Sequence, residues 1–113
     1  MPVTIYHNPR CSKSRQTLAI LEEKKVDLQV IDYLTTPPSK AALKRILGML
    51  GMKAVDIIRK KEARDAGLDI TQMSEAALIE AMVSHPIIIE RPIVVSGDKA
   101  VMGRPPENVL TII

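Results

Sequence analysis

Hydrophobic and polar positions along the chain change period several times, and each change predicts an element. Residues 2–6, Pro-Val-Thr-Ile-Tyr, predict a short strand, and His7-Asn8-Pro9 supplies turn chemistry behind it. From Ser12 to about Lys25 the residues favour helix, with Leu18 and Leu21 on one side and charges on the other. Val26 to Ile31 predicts a second strand, in which Val26, Leu28 and Val30 alternate with Asp27 and Gln29. Thr35-Thr36-Pro37-Pro38 breaks the pattern, and Ser39 is a natural N-cap. Leu43, Ile46, Leu47 and Leu50 then fall at i, i+3, i+4 and i+7, one helical face, which Gly51 ends. Ala54 to Ala66 predicts one or two short helices stopped by Gly67. Ser74 caps another, with Leu78, Ile79, Met82 and Val83 as its apolar face, before His85-Pro86. Ile93–Val95 suits a buried strand, and Ser96-Gly97-Asp98-Lys99 turns it into a hairpin with Ala100–Met102. Pro105 suits the first turn of a last helix running to Ile112.

The order is β-α-β, several helices, β-β, α. A βαβ unit makes its two strands parallel with a right-handed crossover, whereas the late hairpin is antiparallel. The expected fold class is therefore α/β, a small mixed sheet with flanking helices. The stretch of about residues 39–84 is a helical insertion capping one end. At 113 residues, with no repeat or linker, the chain is expected to form a single domain over 1–113.

Composition narrows the function classes. Sixteen Lys and Arg against thirteen Asp and Glu give a net charge of +3, and the basic residues form no tail or run. The aromatic residues are two Tyr, so stacking platforms for nucleic acid are missing and no nucleic-acid partner is expected. One Cys cannot close an internal disulfide, and with two His it cannot make a typical zinc site, so no metal is expected. No apolar run approaches the ~18 residues of a membrane span, and neither signal-peptide nor lipidation chemistry is visible. The expectation is a soluble cytoplasmic protein in a compartment where a lone thiol survives, with no membrane partner.

That thiol, Cys11, lies where a strand-turn passes into a helix. If the helix starts at Ser12, the sulfur meets unsatisfied N–H groups and the positive end of the macrodipole, which lowers a thiol pKa from its free value of about 8.5. Arg10 and Arg15 flank it and favour the anion. Ser14 can donate its hydroxyl to the sulfur, and His7 can add charge or orient the turn. Surrounded by His, Asn, Pro, Arg, Ser and Lys, Cys11 is not in a core setting, and the pattern describes an activated nucleophile. Arg59, Arg91 and Arg104 each stand at an element boundary, and guanidinium forks suit the oxygens of an oxyanion. Spacing alone does not show that they converge.

Taken together, these stretches resemble the glutaredoxin-linked arsenate reductase family. The resemblance is carried by His7-Asn8-Pro9-Arg10-Cys11-Ser12-Lys13-Ser14-Arg15-Gln16-Thr17-Leu18, Tyr33-Leu34-Thr35-Thr36-Pro37-Pro38 and Ile58-Arg59-Lys60. It continues through His85-Pro86-Ile87, Glu90-Arg91-Pro92-Ile93-Val94-Val95 and Gly103-Arg104-Pro105-Pro106-Glu107. The resemblance implies a thioredoxin-like fold and makes Cys11 the nucleophile that forms a thiol-arsenate adduct. Glutathione, a co-substrate and not a bound cofactor, then displaces the adduct, glutaredoxin resolves the mixed thiol state, and arsenite is the product. It further implies that Arg59, Arg91 and Arg104 bind the oxyanion, that His7 and Ser14 depress the thiol pKa, and that Pro92 is a cis-proline. Ser12-Lys13 departs from the Gly-Thr of the best-characterised members, which leaves open which oxyanion is the substrate. A related regulator of RNA polymerase carries Cys-x-x-Cys, but position 14 here is Ser. The alternative is a thioredoxin-like redox or regulatory module that binds a protein, acting on another substrate or on the transcription machinery.

Overall fold

The computed structural model describes residues 2–113. They form two compact units, one of residues 2–36 and 91–113, the other of residues 37–90.

The first unit is built on a βαβ hairpin-sheet. Strand β1 (Val3–His7) leads through a short loop into helix α1 (Ser12–Glu23) and back to strand β2 (Leu28–Asp32), which lies parallel to β1. Strands β3 (Ile93–Ser96) and β4 (Lys99–Met102) form the antiparallel hairpin, and β3 pairs antiparallel with β1. The sheet order is β2-β1-β3-β4, so β1 is central and carries the loop of Cys11 at its C-terminal end. Strand β1 buries alternate residues, and Val3 and Ile5 join Leu21, Val94 and Val109 in the core against α1 and the C-terminal turn. Removing each such side chain from water contributes about 1.5–3 kcal/mol.

Three details differ from the sequence pattern. His7 belongs to β1, paired opposite Asp32, because the turn starts only at Asn8. Strand β2 sits at the sheet edge with a neighbour on one side, so Val30 is 48% exposed despite its alternation. The last helix is a 3₁₀ segment, Pro106–Thr111, with Pro105 as its N-cap. Helix α1 packs Leu21 and the partly buried Leu18 on the core as expected, and Ser14 and Thr17 add hydroxyls to its buried face.

The second unit is helical. Helix α2 (Lys40–Leu50) starts at Ser39, whose hydroxyl accepts the Ala42 N–H, and ends at Gly51 in the left-handed conformation (φ 67°). Helix α3 (Lys60–Asp65) and helix α4 (Glu75–Ser84) follow, with Ser74 capping α4 through the Ala77 N–H. Three short 3₁₀ turns, Ala54–Ile57, Ile70–Gln72 and Pro86–Ile88, join them. Leu43, Ile46 and Leu47 of α2 and Leu78, Ile79 and Met82 of α4 are buried, the faces expected from their 3.6-residue spacing. No helix among the described residues is long and apolar enough to cross a membrane.

Candidate active site

Cys11 is the N-cap residue of α1, in an extended conformation (φ −94°, ψ 124°) that places its side chain over the first helical turn. It is half-buried and free of any disulfide. Burial pushes the thiol up. Against it act the backbone N–H of Ser14, the Arg104 charge, the backbone N–H of Lys13 and the Arg91 charge, and together they hold the thiol below its ordinary value. The helix therefore works through two main-chain donors, with guanidinium charge added from the other end of the sequence.

The loop before Cys11 is held by buried polar groups. Ser14 Oγ and His7 Nδ1 share a hydrogen bond of 2.6 Å, and Ser14 Oγ also accepts the Asn8 N–H at 3.0 Å. The Ser14 hydroxyl thus serves His7 and Asn8, while its backbone N–H serves the sulfur, a division that sequence spacing does not show. Burial lowers the His7 pKa; Asp32 opposes this, Arg15 adds to it and Glu22 opposes it, and the net result is a ring that stays neutral at neutral pH. His7 accordingly orients the turn and adds no charge to it. Asn8 is 3% exposed; its Oδ1 accepts the Arg10 N–H, its carbonyl accepts the Cys11 N–H, and its Nδ2 donates to Tyr33. The sequence pattern treated Asn8 only as a turn residue, although an Asn two residues before an N–H it can accept is the signature of such a loop. Arg15 donates its Nη1 to the Pro9 carbonyl at 2.9 Å, so its guanidinium ties the loop and not the sulfur.

Arg104 reaches Cys11 from the loop after β4. Its Nη2 lies 3.4 Å from Sγ and its Nε donates to the Arg91 carbonyl at 2.8 Å. Arg91 itself is 9% exposed, and its charge also favours the thiolate. The two arginine loops are clasped together. The Gly103 N–H donates to the Pro92 carbonyl, Thr17 Oγ1 donates to the Lys13 and Gly103 carbonyls, and Asn108 Nδ2 donates to the Met102 and Arg104 carbonyls. Gly103 has no space for a side chain, because a Cβ there would stand 2.7 Å from both Pro92 Cγ and Thr17 Oγ1. The Arg91-Pro92 and Arg104-Pro105 peptides are both cis. Thr17, Gly103 and Asn108 were not singled out by their sequence context; a Thr on the buried face of α1 is the one signal that pointed there.

Arg59 lies in the helical unit as the N-cap of α3. Its Nε donates to Glu62 and its Nη1 to Glu90 at 2.8 Å. Burial acts against the charge, but the hydrogen bonds to Glu62 and Glu90 outweigh it and raise the arginine's pKa further. A cavity of about 370 Å³ in the same unit, walled by Lys60, Arg64, Leu68 and Ile70, contains none of the candidate residues. Among the described residues no group of His, Cys, Asp and Glu is placed to hold a metal ion.

The model of the ArsC family matches residues 6–112. A protein of Escherichia coli K12 named "Uncharacterized protein YfgD" is 50% identical, with the match covering 98% of this chain and 96% of the relative. The arsenate reductase of Haemophilus influenzae is 46% identical over the whole of both chains. The structure titled "Arsenate reductase from Vibrio cholerae" superposes with a TM-score of 0.93 at 50% identity, over 100% of this chain and 98% of that one. The mixed sheet with flanking helices is thus the thioredoxin-like fold of these relatives.

Proposed function

The chain belongs to the ArsC family, and on that premise we propose that it is an arsenate reductase working through Cys11 with glutathione and glutaredoxin as thiol donors. The observation that carries the reading is the sulfur at the N-terminus of α1, favoured as thiolate by two main-chain N–H groups and approached by Arg104 at 3.4 Å. A thiolate beside guanidinium groups is suited to attack an electrophilic oxyanion whose own charge would otherwise repel it.

In this reading Arg91 and Arg104 bind the oxygens of arsenate, and the family resemblance assigns the same part to Arg59. The Cys11 thiolate forms the S–As bond as one arsenate oxygen leaves as water. A glutathione thiolate then attacks the Cys11 sulfur. An S–S bond forms, the S–As bond breaks, and its electron pair stays on arsenic, which leaves as arsenite. Glutaredoxin removes the glutathionyl group and restores the thiol. The outside donor is a matter of counting, because one Cys supplies one of the two sulfurs that a two-electron reduction oxidises to a disulfide. A glutathione-rich cytoplasm is the compartment that suits this cycle. Pro92 packs on Gly103 and so supports the Arg104 loop.

The test is a coupled assay of arsenate reduction with glutathione and glutaredoxin. Cys11→Ala is expected to bring turnover to background, and omission of glutaredoxin to slow the wild type. Turnover that survives in Cys11→Ala would overturn the reading. A wild type with no turnover, a thiol that titrates like free cysteine and a stoichiometric protein partner would favour the binding-module alternative.

A further inference from the structure

Helix α3 carries two i,i+4 pairs of opposite design. Lys61 reaches Asp65 at 3.0 Å, the matched arrangement that supports a short helix. Lys60 and Arg64, one position earlier, are like charges at the same spacing, which works against a helix. Arg59 just before them is answered by Glu62 and Glu90, yet among the described residues neither Lys60 nor Arg64 makes an ion pair. What these two share is the cavity of about 370 Å³ that lies wholly in the helical unit. Its wall is apolar, made by Val55 of the first 3₁₀ turn, which is 40% exposed, and by the half-buried Leu68 and Ile70. Asp69 and Thr71 complete the lining. Asp69 Oδ1 is already committed there, accepting the Thr71 N–H at 3.2 Å and the Thr71 hydroxyl at 2.6 Å.

Two cations against one carboxylate leave the lining at +2 − 1 = +1. A single negative charge on a ligand neutralises that excess and relieves the repulsion between Lys60 and Arg64. An inorganic oxyanion meets the charge but leaves Val55, Leu68 and Ile70 facing water. A neutral apolar molecule covers the wall but leaves the like charges opposed. Only a ligand with both parts answers both demands. We propose that this cavity binds an organic monoanion, a carboxylate on a short aliphatic body, with its head at Lys60 and Arg64 and its body on Val55, Leu68 and Ile70. The volume stands near the lower end of small-molecule sites, about 300–1,000 Å³, and suits a body of a few carbons, not a long lipid chain. No residue given a part in arsenate reduction lines the cavity, so the two readings stand or fall separately.

The experiment titrates the whole chain with hexanoate, hexanol or inorganic phosphate at fixed pH and ionic strength and follows the methyl NMR signals of Val55, Leu68 and Ile70. Hexanoate is expected to shift these signals saturably at millimolar concentration, hexanol to bind more weakly, and phosphate to leave them unmoved. Butanoate is expected to bind more weakly than hexanoate by about fourfold for each methylene that leaves the wall. Lys60→Gln and Arg64→Gln, both at exposed positions, are each expected to weaken hexanoate by about two- to fivefold, the scale of an exposed ion pair, and to leave hexanol unchanged. Val55→Asp, which sets a second carboxylate in the wall, is expected to abolish hexanoate binding. If that variant does not fold, as judged by its unfolding transition, the two glutamine variants carry the test. Absence of a saturable shift at these methyls overturns the proposal. So does hexanol binding as tightly as hexanoate, phosphate moving the methyls equally, or hexanoate affinity unchanged in both glutamine variants.

Discussion

Arg104 and Arg59 are both oriented arginines, and they are oriented by opposite means. Arg104 is aimed by a neutral group, the Arg91 carbonyl, and brings its charge to the sulfur. Arg59 is aimed by two carboxylates, which fix its direction and also offset its charge. A carbonyl dipole gives direction at little electrostatic cost, whereas a carboxylate gives direction and cancels the field at any distance beyond the pair. The first arrangement stabilises a nearby thiolate. The second leaves a guanidinium whose charge is offset by its own carboxylate neighbours.

The contrast breaks most severely at Gly103. Gly103→Ala forces a methyl group into Pro92 and Thr17, and overpacking of this kind costs about 1–3 kcal/mol, read as a lower urea midpoint. Because the displaced loop carries Arg104, the pH midpoint of Cys11 alkylation is expected to rise as well. A variant of wild-type stability and reactivity would show that the clasp does not set Arg104. Arg104→Met is a cleaner and smaller change. Burial of the thiol remains while one opposing charge is lost, so the alkylation midpoint moves up, with the main-chain donors and Arg91 keeping it from the value burial alone would give. No movement would remove Arg104 from thiol activation. The smallest effect is at His7. Its folded pKa lies below the usual 6.5, so the unfolded chain binds a proton first as the pH falls. Stability from this group is therefore complete above about 6.5 and is lost through the window just below it. His7→Gln should flatten the fall in urea midpoint between neutral and mildly acidic pH, and an unaltered slope would count against a buried neutral ring.

Local features were legible in the sequence where one residue dictates one conformation. Ser39, Ser74 and Gly51 cap helices as their side chains require, and the βαβ order set the parallel pair. The place of Cys11 at the start of α1 was legible from the strand-turn before it. What escaped were relations between groups far apart in sequence. Glu62 stands three residues from Arg59, but Glu90 meets it only through the bridge of Ile58 and Ile89. The Arg104 contact with Cys11 spans 93 positions. The Leu18 and Leu21 face of α1 was legible, but the burial of Ser14 and Thr17 beside it, serving the loops around the thiol, was not. The hydroxyl of Ser14 was expected on the sulfur; it is claimed by His7 and Asn8, which leaves the amide to do that work.

Because amides of Ser14 and Lys13 do that work, the activating groups are ones that every amino acid except proline possesses. Side chains at positions 12 and 13 can therefore drift among homologues without disturbing sulfur reactivity. Ser12-Lys13 and Gly-Thr become interchangeable with respect to nucleophilicity, and selection at these two positions is left to act on whatever approaches from outside.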